Sequence, residues 1–215
     1  MEKDRIVYPY ILVYLRSVRR LRTGLLGEIE KKARLENFPV SGPETSDLLE
    51  LLCRLRQPER ILEIGTCIGF SALLMAETCQ GAHIDTVERN PVMLPLAKEN
   101  FAKFPHHHIL QMEGDALDIL PKLDGGYDLV FMDAAKGQYP KFFMMIKSLL
   151  KKGGILVADN VLFNGYVAEG APDVRRNRTI VTRLDEYLKT LENDADFQTV
   201  ILPVSDGVTV SYKIN

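Results

Sequence analysis

The sequence predicts an α/β fold in which helices cover both faces of a mostly parallel sheet. From residue 60 onwards, short apolar runs alternate with helical stretches, and this alternation is typical of βαβ units. The last two apolar runs are separated only by a turn, which favours an antiparallel hairpin at one end of the sheet. We therefore expect a single domain, 1–215, with a helical extension over 1–40 and a core over 41–215.

The individual elements follow from the apolar spacing. Helices are expected over 7–20 and 24–35, and a third should begin at Ser41-Gly42-Pro43-Glu44, with Ser41 as its cap. Runs bounded by turn residues predict these strands: Arg60–Ile64, Ile84–Glu88, His108–Met112, Leu129–Asp133, Ile155–Asp159, Phe197–Leu202 and Val208–Ile214. Helices should lie between them, near 70–79, 91–103, 116–122, 138–150 and 178–192.

Composition limits the class of protein. The chain has 215 residues, 46% of them hydrophobic, and a net charge of only −2, so no global basic field calls for a nucleic acid. Three cysteines without metal-type spacing indicate reduced thiols and a cytoplasmic location. The apolar run 6–15 is too short to span a bilayer, so no membrane association is expected. A basic cluster follows it and allows either a solvated helix face or a surface for a polyanion: Arg16, Arg19, Arg20 and Arg22.

The loop after the first strand contains Gly65 and Gly69 at a strand-to-helix turn, where a backbone can approach a ligand closely. A dinucleotide-binding loop would need glycine at 67 and 70. Cys67 and Phe70 stand there instead and would crowd a pyrophosphate, which argues against a dehydrogenase. A ligand with a carboxylate fits better, with Ser71 donating a hydrogen bond to it.

Acidic residues follow the second and third strands. Glu88 can accept hydrogen bonds from both hydroxyls of a ribose, although an acid before Asn90-Pro91 can also cap a helix. Asp115 can receive the amine of an adenine, with the small Ala116 beside the ring. Capping of the next helix is an equally good interpretation of Asp115.

The fourth and fifth strands end in Asp133 and in Asp159-Asn160. If these strands are neighbours, two carboxylates and an amide meet at one rim, which is costly unless a cation lies between them. Oxygen ligands favour Mg²⁺, Mn²⁺ or Ca²⁺. Lys136 follows on the same rim and can act as a general base. Turn and cap roles for the acids, and a surface role for the lysine, remain the alternatives.

His106-His107-His108 also suggests a metal site. Because consecutive residues of a strand point to opposite faces, the three cannot chelate one ion together. We interpret them as a loop and a strand start.

The motifs resemble the metal-dependent catechol and caffeoyl-CoA O-methyltransferases, a class I family that uses S-adenosylmethionine (SAM). The segments that carry the resemblance are LEIGTCIGFSAL (62–73), DLVFMDAAKGQY (128–139) and GGILVADNVLFNG (153–165). It implies a Rossmann-like, seven-stranded sheet with one reversed strand. It also implies a metal site of Asp133, Asp159 and Asn160, with Lys136 and Asp133 as catalytic residues. The implied cofactor-binding set is Val40, Glu63, Gly65, Ser71, Glu88, Asp115, Ala116 and Asp133.

Two further segments, NVLFNGYVAEG (160–170) and VRRNRTIV (174–181), are similar to a bacterial branch that methylates 5-hydroxyuridine in tRNA. The predicted acceptor is therefore tRNA, with a small catechol or phenol as the alternative. A catechol enzyme should carry a further acid for the second hydroxyl, and Asp206 is the nearest candidate. The cationic surface for tRNA would come from residues 16–22 and from Arg175, Arg176 and Arg178.

Two other possibilities concern catalysis and assembly. A non-catalytic nucleotide- or RNA-binding module would have no use for Asp133, Asp159, Asn160 and Lys136 together. The apolar face of residues 6–15 can cover either the domain's own core or a partner subunit, and we expect a homodimer.

Overall fold

A computed structural model describes residues 6–170 and 175–215. Within these ranges, seven strands form one sheet in the order β3-β2-β1-β4-β5-β7-β6. The strands are β1 (Arg60–Ile64), β2 (His83–Glu88), β3 (His108–Glu113), β4 (Tyr127–Met132), β5 (Leu150–Asp159), β6 (Phe197–Leu202) and β7 (Val208–Lys213). Strands β1 to β5 pair in parallel, and β7 is antiparallel to both β5 and β6. The predicted fold class and the terminal hairpin are confirmed.

The helices surround this sheet. They are α1 (Pro9–Val18), α2 (Gly24–Leu35), α3 (Pro43–Arg56), α4 (Phe70–Thr78), α5 (Met93–Ala102), α6 (Ala116–Ile119), α7 (Tyr139–Leu149), α8 (Tyr166–Glu169) and α9 (Arg175–Glu192). Short 3-10 helices cover Leu120–Lys122 and Lys136–Gln138. Helix α8 was not predicted, because its four residues are too few to show a helical period. No helix in the described ranges has the length and apolar character needed to cross a bilayer.

Strand β5 is longer than predicted. It begins at Leu150 rather than Ile155, because Leu150 already pairs with Tyr127 before the register shifts. The intervening Lys-Lys-Gly-Gly segment, 151–154, has the composition of a loop but continues the strand. Its pairing with β4 therefore overrides the local preference of its residues.

The central parallel strands β1 and β4 are buried on both faces, which explains their continuous apolar runs, whereas the edge strand β3 is only partly buried. Every residue of β4 is buried. One core cluster contains Leu62, Val130 and residues of α7 and α9. The opposite cluster contains Ile61, Leu129 and residues of α3 and α4. The strand order reverses between β1 and β4, and in open parallel sheets ligands bind at the carboxyl ends of the strands beside such a point.

Ion pairs attach the N-terminal extension to α3. The side chains of Arg19 and Arg22 are only 11% and 10% exposed, and both contact Glu30 and Asp47. Arg16 pairs with Glu44 in the same way. Three of the four arginines in the 16–22 cluster therefore pair with acids of the protein itself. Little positive charge of this cluster is left for binding a polyanion.

Candidate active site

A cavity of about 340 Å³ opens at the carboxyl ends of β1, β2 and β4. This volume lies within the usual range for small-molecule sites. Most of the residues predicted to bind a cofactor or to act in catalysis line it: Val40, Gly65, Ser71, Glu88, Asp115, Ala116, Asp133 and Lys136. The structure thus brings together residues that are almost 100 positions apart in the sequence.

Gly65 permits a close contact between two loops. Its φ is +106°, and an added Cβ would collide with the backbone carbonyl oxygen of Asp133. The Asp133 N–H also donates to the Ile64 carbonyl at 3.0 Å. A side chain at position 65 would therefore displace the loop that carries Asp133, independently of any ligand.

Glu63 lies behind the cavity wall and not in it. Its side chain is fully buried, and its carboxyl group accepts hydrogen bonds from the hydroxyls of Ser71 and Thr86. Burial raises the pKa of Glu63 to about 8, and the charge of Asp133 also raises it. The predicted direct contact of Glu63 with a cofactor is corrected accordingly: Glu63 fixes Ser71, which lines the cavity.

Glu88 is held by backbone donors. Its carboxylate accepts hydrogen bonds from the N–H groups of Cys67, Arg89 and Asn90 at 2.8–2.9 Å. Three such bonds fix the side chain in one orientation at the carboxyl end of β2, beside the cavity. Cys67 lines the cavity, but Phe70 is buried in a core cluster. Of these two residues, only Cys67 is therefore placed where it would crowd a pyrophosphate.

Asp115 caps the N-terminus of α6 and also lines the cavity. One carboxylate oxygen accepts from the Leu117 N–H at 2.9 Å, and the other accepts from Arg89 at 3.0 Å. The backbone hydrogen bond lowers the pKa of Asp115, and Arg89 adds to this. The two interpretations of this residue are thus compatible.

Asp133 lies between a cation and a hydroxyl. The Lys136 ammonium donates to its Oδ1 at 3.0 Å, and the Ser41 hydroxyl lies 3.5 Å from its Oδ2. Ser41 was predicted to cap α3, but the cap position is occupied by Gly42, which makes no side-chain bond. The prediction for Ser41 is wrong because its hydroxyl faces Asp133, just after the end of β4, and not the first turn of α3.

Asp159 is completely buried. Its Oδ1 accepts from the Thr45 hydroxyl at 3.2 Å and from the Asn160 N–H at 2.8 Å. Its Oδ2 is buried without a hydrogen-bond partner among the described residues. Burial raises the pKa of Asp159 to about 7, and the nearby charge of Asp133 contributes in the same direction.

The segments around this pair are fixed by further contacts. The Tyr139 hydroxyl donates to the Asp159 carbonyl at 2.8 Å. Burial raises the pKa of Tyr139 well above its usual value, and both aspartates raise it further. Asn160 adopts a left-handed φ of +58° as the chain turns out of β5. Neither Tyr139 nor Thr45 was predicted, although a threonine on the buried face of a helix is a visible signal of a polar role.

Asp206, the nearest candidate for a second catechol-gripping acid, binds the protein itself. Its Oδ1 accepts from the Asn164 N–H, and its carbonyl accepts from the Leu162 N–H at 3.0 Å. These contacts hold the loop that follows Asn160. The expectation that Asp206 grips a hydroxyl is therefore replaced by a role in fixing this loop.

Comparisons with known proteins identify the family. Caffeoyl-CoA O-methyltransferase 1 of Arabidopsis thaliana is 30% identical over 229 residues, covering 97% of this chain and 85% of that protein. Catechol O-methyltransferase of Niastella koreensis is 34% identical over 133 residues, covering 59% of this chain and 60% of that protein. The crystal structure of the O-methyltransferase TomG from Streptomyces achromogenes, in complex with SAM, has 29% identity and a TM-score of 0.83, and the match covers 100% of both chains. Residues 21–214 match the family described as O-methyltransferase, and the chain belongs to this family of SAM-dependent transferases.

Proposed function

We propose that this protein transfers a methyl group from SAM to a hydroxyl with a neighbouring oxygen, in a small catechol or caffeoyl-type phenol, with the help of a divalent cation. The observation that carries the proposal is the pair formed by Asp133, which lines the cavity, and the completely buried Asp159, whose pKa the charge of Asp133 raises. One buried carboxylate oxygen of this pair has no partner among the described residues. Two adjacent carboxylates in such a place favour a bound cation.

The donor set fits a hard cation. Asp133, Asp159 and Asn160 offer only carboxylate and amide oxygens, which suits Mg²⁺, Mn²⁺ or Ca²⁺ better than Zn²⁺. A cation held by these residues would supply a Lewis acid that makes a neighbouring hydroxyl more acidic.

The remaining steps belong to the chain's own residues. The cavity residues Glu88 and Asp115 bind and orient SAM, so that sulfur, methyl carbon and acceptor oxygen lie in line. The Lys136 ammonium, whose Nζ lies at the rim 3.0 Å from Asp133, first loses a proton to solvent. The neutral amine then accepts the proton of the acceptor hydroxyl. The oxygen then bonds to the methyl carbon as the carbon–sulfur bond breaks. The products are a methyl ether and S-adenosylhomocysteine.

The choice of a small phenol is supported by the relatives named above, which are called caffeoyl-CoA and catechol O-methyltransferases. A second candidate acceptor is 5-hydroxyuridine in tRNA, which presents a hydroxyl beside a carbonyl. It is favoured by the exposed Arg175 and Arg178 in the first turn of α9. The helix that carries these arginines packs against α8 and against the 3-10 helix that begins at Lys136. The side chain of Arg176 lies outside the described residues.

The decisive experiment is methyl transfer from radiolabelled SAM to a panel of catechols and phenols and to tRNA lacking this modification, with and without EDTA. The proposal expects labelled phenol, no label after chelation and restored label after addition of Mg²⁺. Labelled tRNA alone, reduced at least about tenfold in Arg175→Glu/Arg178→Glu with unchanged SAM binding, would support the second candidate instead. Transfer that is insensitive to EDTA would refute the metal role.

A homodimer is the assembly we infer. Four apolar side chains of α1 and its N-cap are 65–71% exposed: Tyr8, Tyr10, Val13 and Tyr14. An apolar face of this kind on a short helix is typical of a protein interface. Light scattering of the purified protein should give twice the chain mass, and Tyr10→Glu/Val13→Glu should lower it to one chain mass. A monomeric wild-type protein would contradict this inference.

The cytoplasmic location stays a prediction, consistent with the free thiols at Cys53, Cys67 and Cys79.

A further inference from the structure

The chain's four histidines lie together at the end of the sheet opposite the cavity. His83 and His108 begin β2 and β3, pair directly in register, and stack with ring centroids 4.8 Å apart. His106 and His107 precede β3. Since the cavity lies at the carboxyl ends of the strands, this amino-terminal rim is a region separate from it.

His106 and His107 converge on one carboxylate. The Nε2 atoms of His107 and His106 lie 2.6 and 3.5 Å from the same Oε1 of Glu77, in the last turn of α4. The two rings are 4.1 Å apart between centroids. One ligand atom from each of these three residues lies within 4.8 Å of the other two. The interpretation of the three histidines as a loop and a strand start is confirmed: β3 begins at His108, which lies outside this cluster, and the two residues before it share one side.

The cluster is rigid on one side and open on the other. The His107 side chain is only 4% exposed, and its ring stacks on Phe104 at 6.1 Å. Its Nε2 is therefore aimed before any ligand arrives. The side chains of Glu77 and His106 are 39% and 65% exposed, so an ion and its water can reach them from solvent.

We propose that Glu77, His106 and His107 form a site for Zn²⁺. Two imidazoles and one carboxylate are zinc ligands, whereas Mg²⁺ and Ca²⁺ prefer oxygen alone. Tetrahedral coordination at bond lengths of about 2.1 Å separates neighbouring ligand atoms by about 3.4 Å. The distance from His106 already has this value, and the distance from His107 needs to lengthen by about 0.8 Å. Water occupies the fourth position.

The ion connects two parts of the fold. Glu77 belongs to α4, which begins beside the cavity, and the histidines lead into β3, the edge strand of the sheet. Zinc at this point fixes the end of α4 to the loop before β3 and stabilises the folded chain by mass action. Its ligand chemistry differs from that of the Asp133–Asp159 pair, so the two sites can be tested separately.

The test is zinc binding by tag-free, metal-stripped protein in excess Mg²⁺, titrated against a chromogenic chelator and checked by elemental analysis. Wild-type protein should bind one equivalent of Zn²⁺ and melt at a higher temperature with it. Zinc affinity should fall at least about tenfold in His106→Ala/His107→Ala and in Glu77→Gln. The matched control is His83→Ala/His108→Ala, which removes the other two histidines of the same rim and should bind normally.

Added Co²⁺ gives a second measurement, because a four-coordinate site produces intense visible absorption. This band should be present in the wild type and in Asp159→Asn, and absent in His106→Ala/His107→Ala. Circular dichroism and SAM binding check that each variant is folded. Zinc binding that is absent in the wild type, retained in both ligand variants, or lost in Asp159→Asn would overturn the proposal. Because the readouts do not depend on methyl transfer, a failed activity assay leaves this test intact.

Discussion

Replacing Asp159 by asparagine should have opposite effects on the metal-free and the metal-bound protein. Burial raises the pKa of Asp159 from 3.8 to about 7. The folded state therefore holds this proton more tightly than the unfolded state. The tighter binding of this proton stabilises the folded state. This stabilisation is fully present below pH 4 and is lost as the pH rises through 7, at about 1.4 kcal/mol per pH unit. At pH 8 the ionised carboxylate costs up to about 4 kcal/mol, which a neutral asparagine avoids.

The assay is urea unfolding at pH 5 to 8 in EDTA, repeated with Mg²⁺. In EDTA at pH 8, Asp159→Asn should be more stable than the wild type, and the gap should close towards pH 5. Mg²⁺ should stabilise the wild type alone, and methyl transfer should be lost in the variant. Asp128→Asn is the matched control: Asp128 is also buried, but it pairs with Arg56 and Lys151, so its replacement should destabilise the protein. An Asp159→Asn protein that is less stable than the wild type in EDTA at pH 8, or equally stabilised by Mg²⁺, would refute the reasoning.

Three further predictions concern other parts of the molecule. Lys136→Met should lower kcat by about a hundredfold or more in the methyl-transfer assay while leaving the Kd of SAM unchanged in calorimetry, because the base acts only in the chemical step; a normal kcat would exclude that role. Glu88→Gln should raise the Kd of SAM at least about tenfold, since an amide cannot accept from three backbone N–H groups as a carboxylate does; unchanged affinity would contradict it. Arg22→Ala should lower the free energy of unfolding by about 2 kcal/mol in thermal denaturation, because it removes the ion pairs of a largely buried guanidinium with Glu30, Asp47 and Glu50, whereas the exposed Arg20→Ala should change it little; equal effects would show that the ion pairs of Arg22 add no stability.

The fold was predictable because its signal is repeated along the chain. Five apolar runs alternate with helices, and each repeat independently indicates the same parallel sheet. The boundaries failed where pairing overrides local composition, as in the glycine-containing start of β5. The four-residue α8 could not be predicted either, since it offers no period to detect.

The residues of the cavity were predictable for a related reason. Parallel strands place their carboxyl ends at one rim, so the position of Glu88 or Asp133 at a strand end implies its position in space. The contacts of Ser41 and Thr45 with the two aspartates were not predicted, because these residues lie just before and within the first turn of α3, and no strand spacing fixes where that helix packs. The sequence also places Glu63 at the cavity, but only the packing of Ser71 and Thr86 against it reveals its burial.

The buried acids of this sheet show how a functional carboxylate differs from a structural one. Asp128 accepts from two backbone N–H groups and pairs with two cations, and these contacts lower its pKa against the effect of burial. Glu63 has two hydroxyl partners and a pKa of about 8, so at neutral pH it is mostly protonated and carries little charge. Asp159 lacks such a set of partners. One of its oxygens accepts hydrogen bonds, but the other is buried without a partner among the described residues, and another aspartate lies nearby. Folding normally satisfies buried polar atoms. The unsatisfied Oδ2 of Asp159, in an otherwise well-paired sheet, is therefore the observation that best supports the cation proposed for this site.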